Sequence, residues 1–187
     1  MIDRDNVFRL IDAAQPDMQT ALALTRFVGL QVREIVGLRW DDIYAEDLLV
    51  TIGRASLPRC VTRSCRHANS RRIVPLNWDA VETLNHEMER QLREGCTPFV
   101  VSHRLRVAAF RCDLTDVAWD REVMDAARRV DMTLEGHPLT ILRESLRSEW
   151  IQAFGEDVAG YWLGTASRNH AHDHISCETL ALASQLV

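Results

Sequence analysis

Apolar positions along this chain recur every three or four residues in most segments and run on continuously in two short ones. Asp3 to Ala14 sets Val7, Leu10, Ile11 and Ala14 on one face, which predicts a short amphipathic helix ended by Pro16. Asp17 reads as the cap of the next helix, whose apolar residues Ala21, Leu22, Leu24 and Phe27 lead to Gly29. The pattern resumes at Val32, Ile35, Val36 and Leu38 and stops at Asp41 and Asp42. Two packed helices joined at a glycine are implied.

Leu48 to Ile52 reads as a strand and Arg71 to Leu76 as its partner. Trp78 to Arg93 predicts a helix capped by Asn77 and stopped by Gly95, with Val81, Leu84, Met88 and Leu92 as its inward stripe. Pro98 to Val101 suggests a small strand or turn, Arg106 to Phe110 a short helix, and Asp120 to Val130 a longer one with Val123, Ala126, Ala127 and Val130 inward. His137 and Pro138 mark a turn, Leu139 to Ile151 another helix, and Ser176 to Leu186 a small terminal helix carrying Leu180, Leu182 and Leu186. The fold class expected is mainly α with a small antiparallel β-sheet (α+β). A length of 187 residues suits a single domain over 1–187.

Charge sharpens this picture. The net charge is −5, which counts against a general nucleic-acid binder, since phosphate contacts need clustered cations. The distribution is uneven, however. From Arg54 to Arg72 there are six arginines (Arg54, Arg59, Arg63, Arg66, Arg71 and Arg72) and no carboxylate, which leaves −11 on the remainder. The chain contains no lysine, so all 22 basic residues are arginine and any mechanism needing a lysine acid is excluded.

Five cysteines at irregular spacing (Cys60, Cys65, Cys96, Cys112 and Cys177) point to reduced thiols rather than a disulfide framework. No signal-peptide layout or membrane-length apolar run is present, and a cytoplasmic location without membrane contact is expected. Cys60, Cys65 and His67 give three of the four ligands a structural zinc needs. The alternate histidines His170, His172 and His174 read as a solvated loop. No metal and no cofactor is expected.

Val28-Gly29-Leu30-Gln31-Val32-Arg33-Glu34-Ile35 followed by Leu38-Arg39-Trp40-Asp41-Asp42-Ile43 resembles the first catalytic box of the tyrosine recombinases, the phage-integrase family. Three further segments resemble that family in order and spacing. Arg72-Ile73-Val74-Pro75-Leu76 is similar to its R-x-V-P-L strand, Leu142-Arg143 to the L-R pair of its H-x-L-R box, and Trp162-Leu163-Gly164 to the turn before its nucleophile. The resemblance implies an integrase catalytic-domain-like fold over about Asp3 to Ile175, without the N-terminal core-binding domain.

The same resemblance implies that most of the chemistry is gone. Arg143 matches the second catalytic arginine, with Arg147 the other residue in reach of that alignment, and Glu34 matches the structural acid. Gln31 stands at the first arginine, Thr140 at the histidine of the second box, Thr165 at the histidine or asparagine after the W-L-G turn, and His174 at the nucleophilic tyrosine. His67 falls nearest the missing lysine; it reads as a loop histidine, or as a replacement acid. The two tyrosines are Tyr44 and Tyr161, and Tyr161 would need a different geometry to attack DNA.

Strand cleavage needs a nucleophile and cations around the phosphate oxygens, where charge builds in the transition state. A glutamine at position 31 brings one donor and no charge, a loss of about 3 kcal/mol of transition-state stabilisation by analogy with oxyanion-hole deletions. The expected function is a degenerate phage-integrase-like protein, catalytically inactive, that contacts double-stranded DNA through the basic hairpin and Arg143. A protein-interaction module, binding a recombinase or itself through the C-terminal helix without DNA contact, is the alternative. A working enzyme with rewired residues is the third reading.

Overall fold

A computed structural model describes residues 2–53, 72–111 and 115–165. Among these, eight helices surround a three-stranded antiparallel sheet of order β1-β2-β3, in agreement with the expected fold class. The elements are α1 (Arg4–Ala13), α2 (Pro16–Phe27), α3 (Val32–Gly37), β1 (Ile43–Tyr44), β2 (Leu49–Ile52), β3 (Arg72–Pro75), α4 (Trp78–Glu94), α5 (His103–Arg111), α6 (Thr115–Arg129), α7 (Pro138–Phe154) and α8 (Glu156–Trp162).

Helix α2 is the axis of the molecule. Every residue from Thr20 to Phe27 is buried, and the helix packs against α1, α3, α4 and α7. A helix apolar nearly all round belongs at the centre of a core. Its start differs from expectation. Pro16 opens the helix, as a residue with no N–H to leave unsatisfied, and Gln15 is the cap. Asp17 instead turns outward to accept from Ser102 Oγ at 2.8 Å and from Arg104 at 2.7 and 2.8 Å. Burial raises the Asp17 pKa, but those donors outweigh it and hold the carboxyl below its ordinary range.

Gly29 makes the turn out of α2. It adopts φ +73°, and a Cβ there would stand 2.5 Å from Leu163 Cδ2 and 3.3 Å from Leu146 Cδ2. The glycine therefore meets both a backbone and a space requirement, since a side chain would push α7 and the end of α8 away from the turn. Beneath it, Trp162 packs edge-on against Trp150 and Phe154, with ring centroids 5.2 Å apart in each pair.

The sheet follows the expected strands, with Val50 opposite Val74 and Ile52 opposite Arg72; β1 is an addition the pattern did not predict. Helix α4 starts where expected, runs one residue further to Glu94, and keeps its Asn77 cap, whose side chain accepts from Ala80 N at 2.8 Å. Its inward face is different. Leu84 and Val81 are buried, but Met88 and Leu92 face solvent, and Glu87 and Gln91 take the inner positions. The reason is a polar network. Gln91 donates to Glu87 Oε1 at 2.8 Å and to the Val100 carbonyl at 2.9 Å, while its Oε1 accepts from Trp40 Nε1 at 3.1 Å. Arg90 completes it with bonds of 2.7 and 3.0 Å to the Glu87 carboxylate. A buried carboxylate is tolerated because each oxygen is matched.

Pro98 to Val101 runs alongside the first box, with a single bridge between Arg39 and Phe99. No helix among the described residues is long and apolar enough to cross a membrane. The expected C-terminal helix from Ser176 to Leu186 lies outside the described residues.

Gly29→Ala is expected to lower unfolding free energy by about 2 kcal/mol, from the strained φ and the displaced Leu163 together. Gly53→Ala, where a Cβ meets nothing within 4 Å, is the control expected to unfold in urea like the parent chain. Equal denaturation midpoints for all three proteins would contradict the assigned role of Gly29.

Candidate functional site

The segments that resemble the first box, the R-x-V-P-L strand, the L-R pair and the W-L-G turn meet at one place. Arg72 of β3 is buried at 3% exposure and donates from Nη1 to Glu34 Oε1 at 2.7 Å and from Nη2 to Glu34 Oε2 at 3.0 Å. Its Nε donates to the Trp162 carbonyl at 2.5 Å. Glu34 Oε2 also accepts from the Gln31 backbone N–H at 2.9 Å, closing the first turn of α3. Arg143 of α7 donates from Nε to the Gly29 carbonyl at 2.8 Å and from Nη2 to the Leu163 carbonyl. Two arginines from different elements thus seize consecutive carbonyls at the end of α8, where cations are favoured.

This corrects the expectation that Arg72 contacts phosphate with its neighbours in the hairpin. Its guanidinium is covered by Glu34, Trp162 and Gly164; a Cβ at Gly164 would come within 2.9 Å of Arg72 Nη1. Arg72 is a scaffold residue. The other five arginines of the basic segment (Arg54, Arg59, Arg63, Arg66 and Arg71) and His67 lie outside the described residues, as does His174.

Above this scaffold opens a cleft of about 360 Å³. Gln31 and Arg33 line one wall, Thr140, Arg143 and Glu144 the other. The structure therefore brings together three of the residues singled out in the sequence: Gln31, Thr140 and Arg143. Thr165 is exposed and is not part of the cleft wall; its N–H turns back to the Gly160 carbonyl at 2.8 Å. Arg147 is not part of the cleft wall; it pairs with Glu144 at 3.4 Å and Glu156 at 3.7 Å.

Arg33 is the residue that the motif comparison passed over. Its Nε donates to Gln31 Oε1 at 2.6 Å, so the glutamine carbonyl is occupied and its amide N–H₂ remains a donor. The signal was present in the sequence as an arginine two places after the substituted position. Burial pushes the Arg143 guanidinium below its ordinary range; Glu34 and Glu144 oppose that shift, while Arg72 and Arg33 add to it. With Arg72 paired to Glu34, the Arg33 and Arg143 guanidinium groups against the one Glu144 carboxylate leave the cleft net positive, which suits an anion.

The cleft offers the Arg33 and Arg143 guanidinium groups, the Gln31 amide and the Thr140 hydroxyl, with the Glu144 carboxylate beside Arg143. Among the described residues its wall contains no tyrosine, histidine or lysine. Its donors suit it to holding an oxyanion. No group of three or more His, Cys, Asp or Glu side chains among the described residues is arranged to hold a metal ion. Cys60, Cys65, His67 and the three alternate histidines fall outside them.

No family model matches the sequence, and no curated protein matches it. Solved structures do. A XerA recombinase superposes with a TM-score of 0.62 at 19% identity, over 100% of this chain and 58% of that one. A lambda integrase dimer bound to a COC′ core site superposes with a TM-score of 0.60 at 19% identity, over 94% of this chain and 60% of the other. The chain spans about three fifths of the length of the structures it matches. The fold is that of a tyrosine-recombinase catalytic domain, as the motifs implied.

Removing one partner of the Glu34–Arg72 pair strands a buried charge. Glu34→Leu or Arg72→Met alone is expected to lose about 3–5 kcal/mol of stability. The double substitution is expected to lose less than the sum of the two, because no unpaired charge remains. A urea-unfolding double-mutant cycle measures this; strict additivity would mean that the two side chains are not coupled.

Proposed function

We propose that this chain, with its tyrosine-recombinase-like fold, is a degenerate integrase-type protein that holds a DNA phosphate without cutting the strand. The observation that carries the reading is the convergence of Arg33 and Arg143 on one cleft beside Gln31. A planar guanidinium grips a phosphate through parallel N–H donors, and two of them supply the charge that the glutamine lacks. Arg33 takes over electrostatically from the first arginine, and Gln31, fixed by it, keeps one donor directed to the ligand.

The chemistry of strand exchange is a different matter. Transfer of the strand to the protein requires a nucleophile in line with the leaving 5′ oxygen and an acid to protonate it. Thr140 stands where the family pattern has a histidine, and its hydroxyl is not an acid of useful strength at neutral pH. A phosphate bound by Arg33, Arg143, Gln31 and Thr140 is therefore held in its ground state. The basic segment from Arg54 to Arg71 supplies further phosphate contacts, which position the duplex and carry no sequence information by themselves. Retained binding without cleavage suits a role in DNA integration or recombination as an occupant of sites rather than a cutter. A cytoplasmic location goes with this reading.

Binding to a short duplex across a salt series tests it. Affinity is expected to fall steeply with salt, and Arg33→Ala and Arg143→Ala to weaken it severalfold each. Arg66→Ala/Arg71→Ala is expected to weaken it and to flatten the slope of log affinity against log salt by about two. Arg72 stays untouched in these variants, because it holds Glu34. No binding at low salt would overturn the proposal, and so would binding that none of the substitutions alters.

A further inference from the structure

On the outer side of α4 lies an apolar surface that the cleft does not involve. Trp78 and Leu92 are each 66% exposed, and Met88 is exposed between them. Trp78, Asn85 and Leu92 are seven residues apart and Met88 lies beside them, so the four share one exposed face of the helix, about 21 Å from end to end, with Val81 buried beneath it. Beside the stripe a groove of about 130 Å³ is lined by Trp40, Ile43, Ala45, Val81, Leu84 and Met88 together with the polar Asn85, and Tyr44 is exposed at its edge. Isolated exposed apolar residues are ordinary, whereas Trp78, Met88 and Leu92 on one helix face, with a side groove edged by exposed Tyr44, mark an interaction surface.

The banks of this surface are acidic. Glu82 and Glu89 flank the stripe on α4, and Asp41, Glu46 and Asp47 stand on the side of the groove formed by the turn around β1; all five are exposed. Arg39 holds Asp41 at 3.3 Å. The other four carboxylates have no ion-pair partner among the described residues. An apolar floor between negative banks excludes a polyanion and selects a partner with the opposite arrangement.

We propose that the outer face of α4 is a docking groove for a basic amphipathic helix of another protein. The stripe length accommodates about four turns of such a helix. Its apolar residues at i, i+3, i+4 and i+7 would pack between Trp78, Met88 and Leu92, and its flanking cations would meet Glu82, Glu89, Glu46 and Asp47. The charge pattern disfavours a second copy of this chain. Two α4 helices crossing antiparallel about Asn85 would set Glu82 of one against Glu89 of the other, a like-charge contact. This inference stands apart from the phosphate cleft, since it uses none of the same residues.

The test uses the full chain and three labelled 18-residue peptides. One has leucine at i, i+3, i+4 and i+7 with lysine on its other face, the second keeps the leucines and carries glutamate instead, and the third scrambles the first. Fluorescence anisotropy is expected to show binding of the first peptide alone. Trp78→Ala/Leu92→Ala and Glu82→Gln/Glu89→Gln are each expected to weaken it at least tenfold while leaving circular dichroism and DNA affinity unchanged. Equal binding of the acidic or scrambled peptide, or binding indifferent to both double substitutions, would overturn the proposal. Concentration-dependent dimers in sedimentation velocity that Trp78→Ala/Leu92→Ala abolishes would also overturn it, by assigning the groove to a second copy.

Discussion

The buried ion pair between Glu34 and Arg72 is the contact on which the remaining geometry depends. One carboxylate closes the first turn of α3, anchors β3 and, through Arg72, holds the Trp162 carbonyl at the end of α8. Such a pair adds little net stability, because taking two charges out of water costs about as much as their attraction returns. What it contributes is position. With α3 and the end of α8 tied to one guanidinium, the Gly29 turn has one place to sit, and Arg143 can bind the Gly29 and Leu163 carbonyls together.

On the reading proposed above, that arrangement lets the fold outlast its chemistry. Glu34, Arg72, Gly29 and the aromatic layer of Trp150, Phe154 and Trp162 make the frame, and each is coupled to several others. Gln31, Thr140 and Thr165 are half-buried or exposed and bear little packing. Substituting them costs the frame almost nothing, so catalytic groups can be lost while scaffold groups stay. Arg143 belongs to both sets: it pins two carbonyls and lines the cleft. Its double duty gives a physical reason for its presence where the other expected catalytic groups are absent.

Much of this was legible in the sequence, and the failures are specific. The helical periodicity located α1, α2, α4, α6 and α7, and the glycine at position 29 marked the turn. The box motifs placed Gln31, Thr140 and Arg143 together although more than a hundred residues separate them. Arg72 was misread because it sits in a run of arginines. Strand alternation carried the correct answer, since Arg72 and Val74 share the buried face while Ile73 faces out. Met88 and Leu92 were assigned inward because hydrophobicity alone cannot anticipate a Glu87–Gln91–Trp40 network that prefers the core. Arg33 went unnoticed because a motif compares positions, whereas electrostatics depends on where a charge arrives.

The most direct test of the central claim, that the phosphate cleft has outlived its chemistry, is a pair of gels run on one incubation of the protein with supercoiled plasmid. A native gel should show retarded DNA. The same sample in denaturing detergent should release it intact, with no relaxed or nicked product and no protein joined to DNA. A detergent-stable protein–DNA band or nicked plasmid, absent with Arg143→Ala, would contradict the account and require a nucleophile elsewhere in the chain.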